Sequence, residues 1–122
     1  MQKILVVDDQ LSMRRMYQKI FEESAYSVDY AVDGKDGFKH ATSTSYNLII
    51  TDYVMPKIDG IQLVRRLKTL DQYQYIPILI ASTKSNSNTK QLGKDAGACG
   101  WIVKPIDAEL LLRGIKRLAG FD

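Results

Sequence analysis

The chain has 122 residues, a formal net charge of +3, 45% hydrophobic residues and 25% charged residues. Those proportions suit one globular domain with one core, and no apolar run approaches the roughly 20 residues that cross a bilayer. The single cysteine, Cys99, excludes an internal disulfide and a thiolate metal cluster.

In chain order the sequence reads as an alternation. Lys3–Val7 is a strand, and Ser12–Glu23 a helix with Met13, Met16, Tyr17, Ile20 and Phe21 on one side. Val28, Tyr30 and Val32 alternate with polar residues, the pattern of a half-exposed edge strand. A weak helix over Lys35–Thr42 follows, carrying a solvated His40, then an apolar strand over Asn47–Thr51 and an amphipathic helix over Gly60–Leu70. Pro77–Ala81 is a third apolar strand, Ser87–Ala96 a polar helix and Trp101–Val103 a short strand. Asp107 caps a last helix, Ala108–Ala119, with Leu111, Ile115 and Leu118 on one stripe. Five strands alternating with five helices make an α/β domain, residues 1–122, with a mostly parallel sheet. Cys99, between alanine and glycine, is expected to be a small buried residue, and Met13, Met16 and Met55 to serve packing.

Basic residues gather in Met13–Lys19, Ile61–Lys68 and Arg113–Arg117. Each cluster shares its segment with apolar residues at helical spacing, so each is read as a solvated helix face. Aromatic interleaving, a zinc signature and a basic tail are all missing, which counts against a nucleic-acid binder. The chain runs from its start straight into a strand-like segment, so the expected setting is cytoplasmic, without a signal peptide or membrane anchor.

Ligands of open α/β sheets bind outside the carboxyl ends of the strands. Asp8 and Asp9 stand after the first strand, Thr51–Asp52 at the third, Ser82–Thr83 at the fourth and Lys104–Pro105 at the fifth. Parallel strands bring these to one edge. Any one aspartate there would pass as a turn residue or cap, but the coincidence of four segments does not. Three carboxylates and one ammonium sum to −2, which calls for a cation. With hard oxygen ligands only, Mg²⁺ is the natural one. Mg²⁺, a lysine and a hydroxyl together suit a phosphoryl group, and an aspartate can be the nucleophile that receives it. No GxxxxGK[ST] loop is present, so a nucleotide is not the obvious ligand.

The segments "LVVDDQLSMRRM", "LIITDYVMPKIDGIQL", "PILIAST" and "AGACGWIVKPI" resemble, in order and over essentially the whole chain, the receiver domains of two-component response regulators, most closely the stand-alone chemotaxis (CheY) type. The resemblance implies a flavodoxin-like, doubly wound five-stranded parallel sheet of order 2-1-3-4-5. It implies that Asp52 is phosphorylated, and that Mg²⁺ is held by Asp8, Asp9, Asp52 and the Val54 backbone carbonyl. Ser82 then contacts the phosphoryl group and shifts on activation, with Lys104 as the family's lysine. Lys104–Pro105 matches a peptide bond that is usually cis, Gly60 a glycine leading into the third helix, and Trp101 the aromatic whose rotamer reports the phosphorylation state. Trp101 stands where Tyr or Phe is usual. Val54 and Lys84 stand where chemotaxis members often carry Asn and Glu, and these two side chains tune the lifetime of the phosphate.

The expectation is therefore a monomeric, non-enzymatic phosphoacceptor served by a histidine kinase. Its output protein would bind the face made by Ser87–Ala96, Trp101–Val103 and the last helix. A phosphorelay intermediate, or the receiver part of a longer regulator, is the alternative. A Mg²⁺-dependent phosphatase would need a general acid two residues after the nucleophile, and Val54 cannot serve.

Overall fold

The computed structural model describes residues 2–120. Its elements are β1 (Lys3–Val7), α1 (Leu11–Phe21), β2 (Ser27–Ala31), α2 (Gly34–Ser43), β3 (Leu48–Asp52), α3 (Gly60–Lys68), a 3₁₀ turn at Asp71–Tyr73, β4 (Ile78–Ser82), α4 (Ser87–Ala96), β5 (Gly100–Val103) and α5 (Ala108–Ala119). All strand pairs are parallel, in the order β2-β1-β3-β4-β5. This is the flavodoxin-like, doubly wound arrangement.

Successive side chains of a strand point to opposite faces, and both faces of the sheet are covered. Leu5, Val7, Ile49, Ile78 and Ile80 pack with Ala41, Leu63, Val64, Leu67 and Ala96 of α2, α3 and α4. Ile4, Val6, Leu48, Ile50, Leu79 and Ala81 pack with Tyr17 and Phe21 of α1 and Leu111 and Ile115 of α5. Each large aliphatic removed from water in these layers contributes about 1.5–3 kcal/mol before conformational entropy is set against it. β2 and β5 are the edges, and their residues are mostly half-buried. That is why β2 reads as an alternating segment while β1, β3 and β4 read as continuous apolar runs.

Several ends differ from the sequence expectations, each for a local reason. α1 begins at Leu11 rather than Ser12, because the Asp8 carboxylate accepts the Gln10 N–H at 3.0 Å and turns the chain early. It stops at Phe21, whose carbonyl accepts both the backbone N–H and the hydroxyl of Ser24. β2 ends at Ala31, since the Val32 N–H goes to the Asp36 carboxylate. α2 is firmer than its sequence suggests. Asp33 caps its start, and the Tyr73 hydroxyl donates to the Ala41 carbonyl at 2.7 Å near its end. The 3₁₀ turn carrying Tyr73 was not expected from the sequence. It follows α3, which ends at Lys68, and the Lys68 ammonium donates to the carbonyls of Tyr73, Gln74 and Ile76 around it. α4 and α5 match the expected ranges, with Asn86 and Asp107 as their caps.

Three side-chain expectations are corrected. Cys99 is exposed, because it precedes edge strand β5. Leu118 is 44% exposed, near the last turn of α5. His40 is half-buried rather than solvated: its Nδ1 lies 2.9 Å from the Asp36 carbonyl and 3.4 Å from the Asp36 carboxylate, one helical turn earlier. Among the described residues, no helix is long and apolar enough to cross a membrane.

Candidate functional site

The carboxyl ends of β1, β3, β4 and β5 bring the expected residues together. Asp8 continues the Ile4–Val6 face of β1, and Asp52 is the last residue of β3, continuing the Leu48–Ile50 face. Asp8 is fully buried and Asp52 nearly so, while Asp9 is exposed. One carboxylate oxygen from each of the three lies within 4.8 Å of the others. Three hard, anionic oxygens that close, one open to solvent, fit a divalent cation that keeps part of its water shell.

Lys104, just past β5, closes the site from the other side. Its ammonium donates to Asp52 Oδ1 at 2.9 Å and to Asp8 Oδ2 at 3.3 Å, with only 12% of its side chain exposed. The Tyr53 N–H also donates to Asp52 Oδ1, at 3.0 Å. Among the described residues, Asp52 Oδ2 therefore has no protein hydrogen-bond donor. Burial pushes the Asp52 carboxyl up from its ordinary range, the Lys104 hydrogen bond opposes this, and the Asp8 charge adds to it. The bond between Lys104 and Pro105 is cis, as the resemblance implies.

The backbone under Asp52 is shaped by Gly60. A Cβ on Gly60 would overlap the Asp52 carbonyl oxygen, so the start of α3 can lie against the end of β3 only as glycine. This is a stricter requirement than the turn anticipated from sequence.

Ser82 is buried at the end of β4, and its hydroxyl accepts the Lys84 N–H at 2.9 Å. The Lys84 carbonyl in turn accepts the Trp101 indole N–H at 2.8 Å. Trp101 is half-buried and packs edge-on against Tyr53, with ring centres 5.7 Å apart. The Lys84 ammonium lies 6.0 Å from the centre of the Tyr53 ring, and Val54 is 57% exposed. A single chain of contacts thus runs from Ser82 through the Lys84 backbone to Trp101, and back through Tyr53 to the residue beside Asp52.

Two participants escaped the sequence reading. The Arg14 guanidinium donates to the Asp8 carbonyl at 2.7 Å. Its cluster reads as a solvated face, and only the close approach of α1 to the end of β1 reveals the contact. Tyr17, fully buried on α1, faces the layer that Asp8 and Asp52 cap. At helical spacing with Met13 and Phe21 it reads as plain core.

Residues 4–116 match the family model described as "Response regulator receiver domain". Response regulator ArlR of Staphylococcus saprophyticus is 39% identical over 118 residues, covering 97% of this chain and 52% of that protein. The same regulator of Staphylococcus aureus is 38% identical over the same shares. The chain thus spans about half the length of the curated relatives it matches. Among solved structures, the Vibrio cholerae chemotaxis protein CheY4 superposes with a TM-score of 0.93 at 36% identity, covering 97% of this chain and 98% of that one. The receiver domain of sensor histidine kinase PA1611 from Pseudomonas aeruginosa, solved with a magnesium ion in its active-site cleft, superposes at 0.90 with 23% identity over 98% of both chains.

The raised Asp52 carboxyl yields a prediction for the metal-free protein. The folded state holds that proton more tightly than the unfolded chain, so stability falls as pH rises from the ordinary carboxylate value of 3.8 through the higher folded one. Asp52→Asn removes the charge while Lys104 keeps Asp8 as a partner. The variant should therefore melt at a higher temperature than the natural protein at pH 7 to 8 without divalent metal, and the difference should shrink toward pH 4. Calorimetry across that range checks it. A variant that melts lower at pH 7 to 8 would show that the Lys104–Asp52 bond outweighs the cost of burial.

Proposed function

The chain belongs to the response regulator receiver family, and from that membership we propose that it takes a phosphoryl group from the phosphohistidine of a histidine kinase onto Asp52. The observation that carries this reading is Lys104, whose ammonium bridges Asp52 and Asp8 at the rim of a three-carboxylate pocket. Mg²⁺ would be held by Asp8, Asp9, Asp52 and the Val54 carbonyl, and when bound it offsets the charge of the carboxylates and of the phosphoryl oxygens. The receiver domain of PA1611, solved with magnesium in its cleft, supports that choice of cation.

Asp52 Oδ2, free of protein donors, is the attacking oxygen. A new O–P bond forms as the P–N bond to the donor's imidazole breaks, and the nitrogen leaves with the electron pair. Lys104 stays on Oδ1 or moves to a phosphoryl oxygen, and its positive charge favours the phosphorylated form in either place. Ser82 then turns its hydroxyl from the Lys84 N–H to a phosphoryl oxygen. That releases the Lys84 backbone and, through its carbonyl, the indole of Trp101. The equilibrium between two arrangements of this loop is the switch, and phosphorylation shifts their populations.

The output face is the surface of α4, β5 and α5. Leu92, Val103 and Leu110, each about half exposed or more, give it an apolar character suited to a protein partner. CheY4, matched over 98% of its length, favours a stand-alone chemotaxis protein that passes its signal by binding. The ArlR relatives, about twice as long as this stretch, favour the receiver part of a longer regulator.

The first experiment offers the protein acetyl phosphate or a phosphorylated kinase with Mg²⁺. Mass spectrometry should place one phosphoryl group on Asp52, and Asp52→Asn and Asp9→Ala should each lose labelling, with Trp101 emission changing only where labelling occurs. Full labelling of Asp52→Asn at another residue would overturn the acceptor assignment.

The second concerns phosphate lifetime. Hydrolysis needs a water in line with the O–P bond, Val54 offers it no hydrogen bond, and Lys84 at the rim carries a charge that favours the phosphorylated state. A group that moves a proton is worth about 10² to 10⁴, and mere orientation less, so the effect here is about tenfold. Val54→Asn combined with Lys84→Glu should therefore shorten the lifetime about tenfold, read as decay after the donor is removed, with Mg²⁺ affinity barely altered. Decay no faster than that of the natural sequence would mean that neither side chain controls the attacking water.

A further inference from the structure

Arg14 reaches the acid pocket without neutralising it. Its guanidinium donates to the backbone carbonyl of Asp8 at 2.7 Å, a short bond of the kind a charged donor makes. Asp8, Asp9 and Asp52 each bring a carboxylate oxygen within 4.8 Å of the others, yet among the described residues no carboxylate lies within ion-pair distance of Arg14. A guanidinium is shaped to grip a carboxylate with two parallel bonds. Here it takes an amide oxygen instead, so its effect falls on the backbone that it holds.

Asp8 is tied at every polar atom. Its N–H donates to the Ala31 carbonyl at 3.1 Å, one carboxylate oxygen accepts the Gln10 N–H at 3.0 Å, the other accepts the Lys104 ammonium at 3.3 Å, and Arg14 holds the carbonyl. Asp9 is the opposite case. It is exposed, and among the described residues its carboxylate has no hydrogen-bond or ion-pair partner. The backbone beneath Asp9 therefore decides where that carboxylate stands. The Asp8 carbonyl belongs to the planar peptide joining Asp8 to Asp9, so a bond that fixes this oxygen fixes the plane from which Asp9 departs. The helix places Arg14 for the task. Its own N–H donates to the Gln10 carbonyl at 3.1 Å in the first turn of α1, and helical side chains lean back toward the N-terminus, where Asp8 lies.

Resting on the reading of the acid pocket as a Mg²⁺ site, we propose that Arg14 is a positioning residue: its guanidinium clamps the peptide between Asp8 and Asp9 and so holds the unpartnered Asp9 carboxylate where the cation needs it. The sign of the effect separates this role from one of charge. A fixed cation beside the pocket repels Mg²⁺, so removing the charge alone would tighten metal binding, most of all at low salt. Removing a clamp loosens it at any salt concentration.

The test compares the natural protein with Arg14→Met, which keeps an apolar stem and removes the guanidinium, and Arg14→Lys, which keeps the charge without the planar fork. Mg²⁺ is titrated into each by calorimetry at low and at high ionic strength, and all three are melted without divalent metal. The expected result is a Mg²⁺ dissociation constant about tenfold higher in Arg14→Met at both ionic strengths, with Arg14→Lys in between. In the metal-free protein the Gln10 amide, which Asp8 holds, should exchange with solvent faster in Arg14→Met than in the natural protein. Tighter Mg²⁺ binding by Arg14→Met overturns the inference in favour of charge alone. Unchanged affinity overturns it whatever the melting temperature, since Arg14 would then serve only the packing of α1. Should Arg14→Met fail to fold, Arg14→Lys decides, and an affinity equal to the natural protein's overturns the inference. Failure of the natural protein itself to bind Mg²⁺ would instead overturn the reading of the pocket on which this rests.

Discussion

The Lys104 ammonium, held 2.9 Å from Asp52 and 3.3 Å from Asp8, is the interaction on which the arrangement of this molecule turns. Two buried carboxylates and a third at the rim make an assembly that one lysine cannot neutralise. A buried charge with no compensation costs several kcal/mol even after the surroundings relax. The pocket is thus incomplete on its own, and a divalent cation would bring its charge of −2 to zero. The site calls for a cation because the fold keeps it short of positive charge.

The sheet makes that possible. A parallel sheet sends the carboxyl ends of four strands to one edge, so residues up to 96 positions apart meet within hydrogen-bond distance. Its central strands, β1 and β3, are buried on both faces, which gives Asp8 and Asp52 their enclosed setting. The edge strand β5 carries the half-buried Trp101 and leads into Lys104 at the site, and the exposed Val103 and Leu110 line one groove with Trp101. A change in charge at Asp52 is therefore one short chain of contacts, Ser82 to Lys84 to Trp101, away from a surface where a protein can bind.

Most of this was legible in the sequence, for reasons that lie in particular residues. The apolar runs of β1, β3 and β4 end in Asp8, Asp52 and Ser82, and an alternating segment such as Val28–Val32 can only be an edge. What the sequence concealed depends on contacts between distant segments. The 3₁₀ turn at Asp71–Tyr73 is held by Tyr73 reaching Ala41, and Arg14 looks like one more solvated cation until α1 is set against β1. Tyr17 is indistinguishable from core by spacing alone. The exposure of Cys99 is hidden because local composition says little about which strand falls at the edge of a sheet.

The most direct measurement of the central claim is thermal or denaturant unfolding at fixed ionic strength while Mg²⁺ is raised from none to tens of millimolar. If the pocket is a charge deficit completed by the cation, stability must rise with concentration once the dissociation constant is passed, by about 1.4 kcal/mol for each further tenfold. An unfolding midpoint that stays constant across that range would mean that Lys104 alone satisfies the three carboxylates, and would contradict the account.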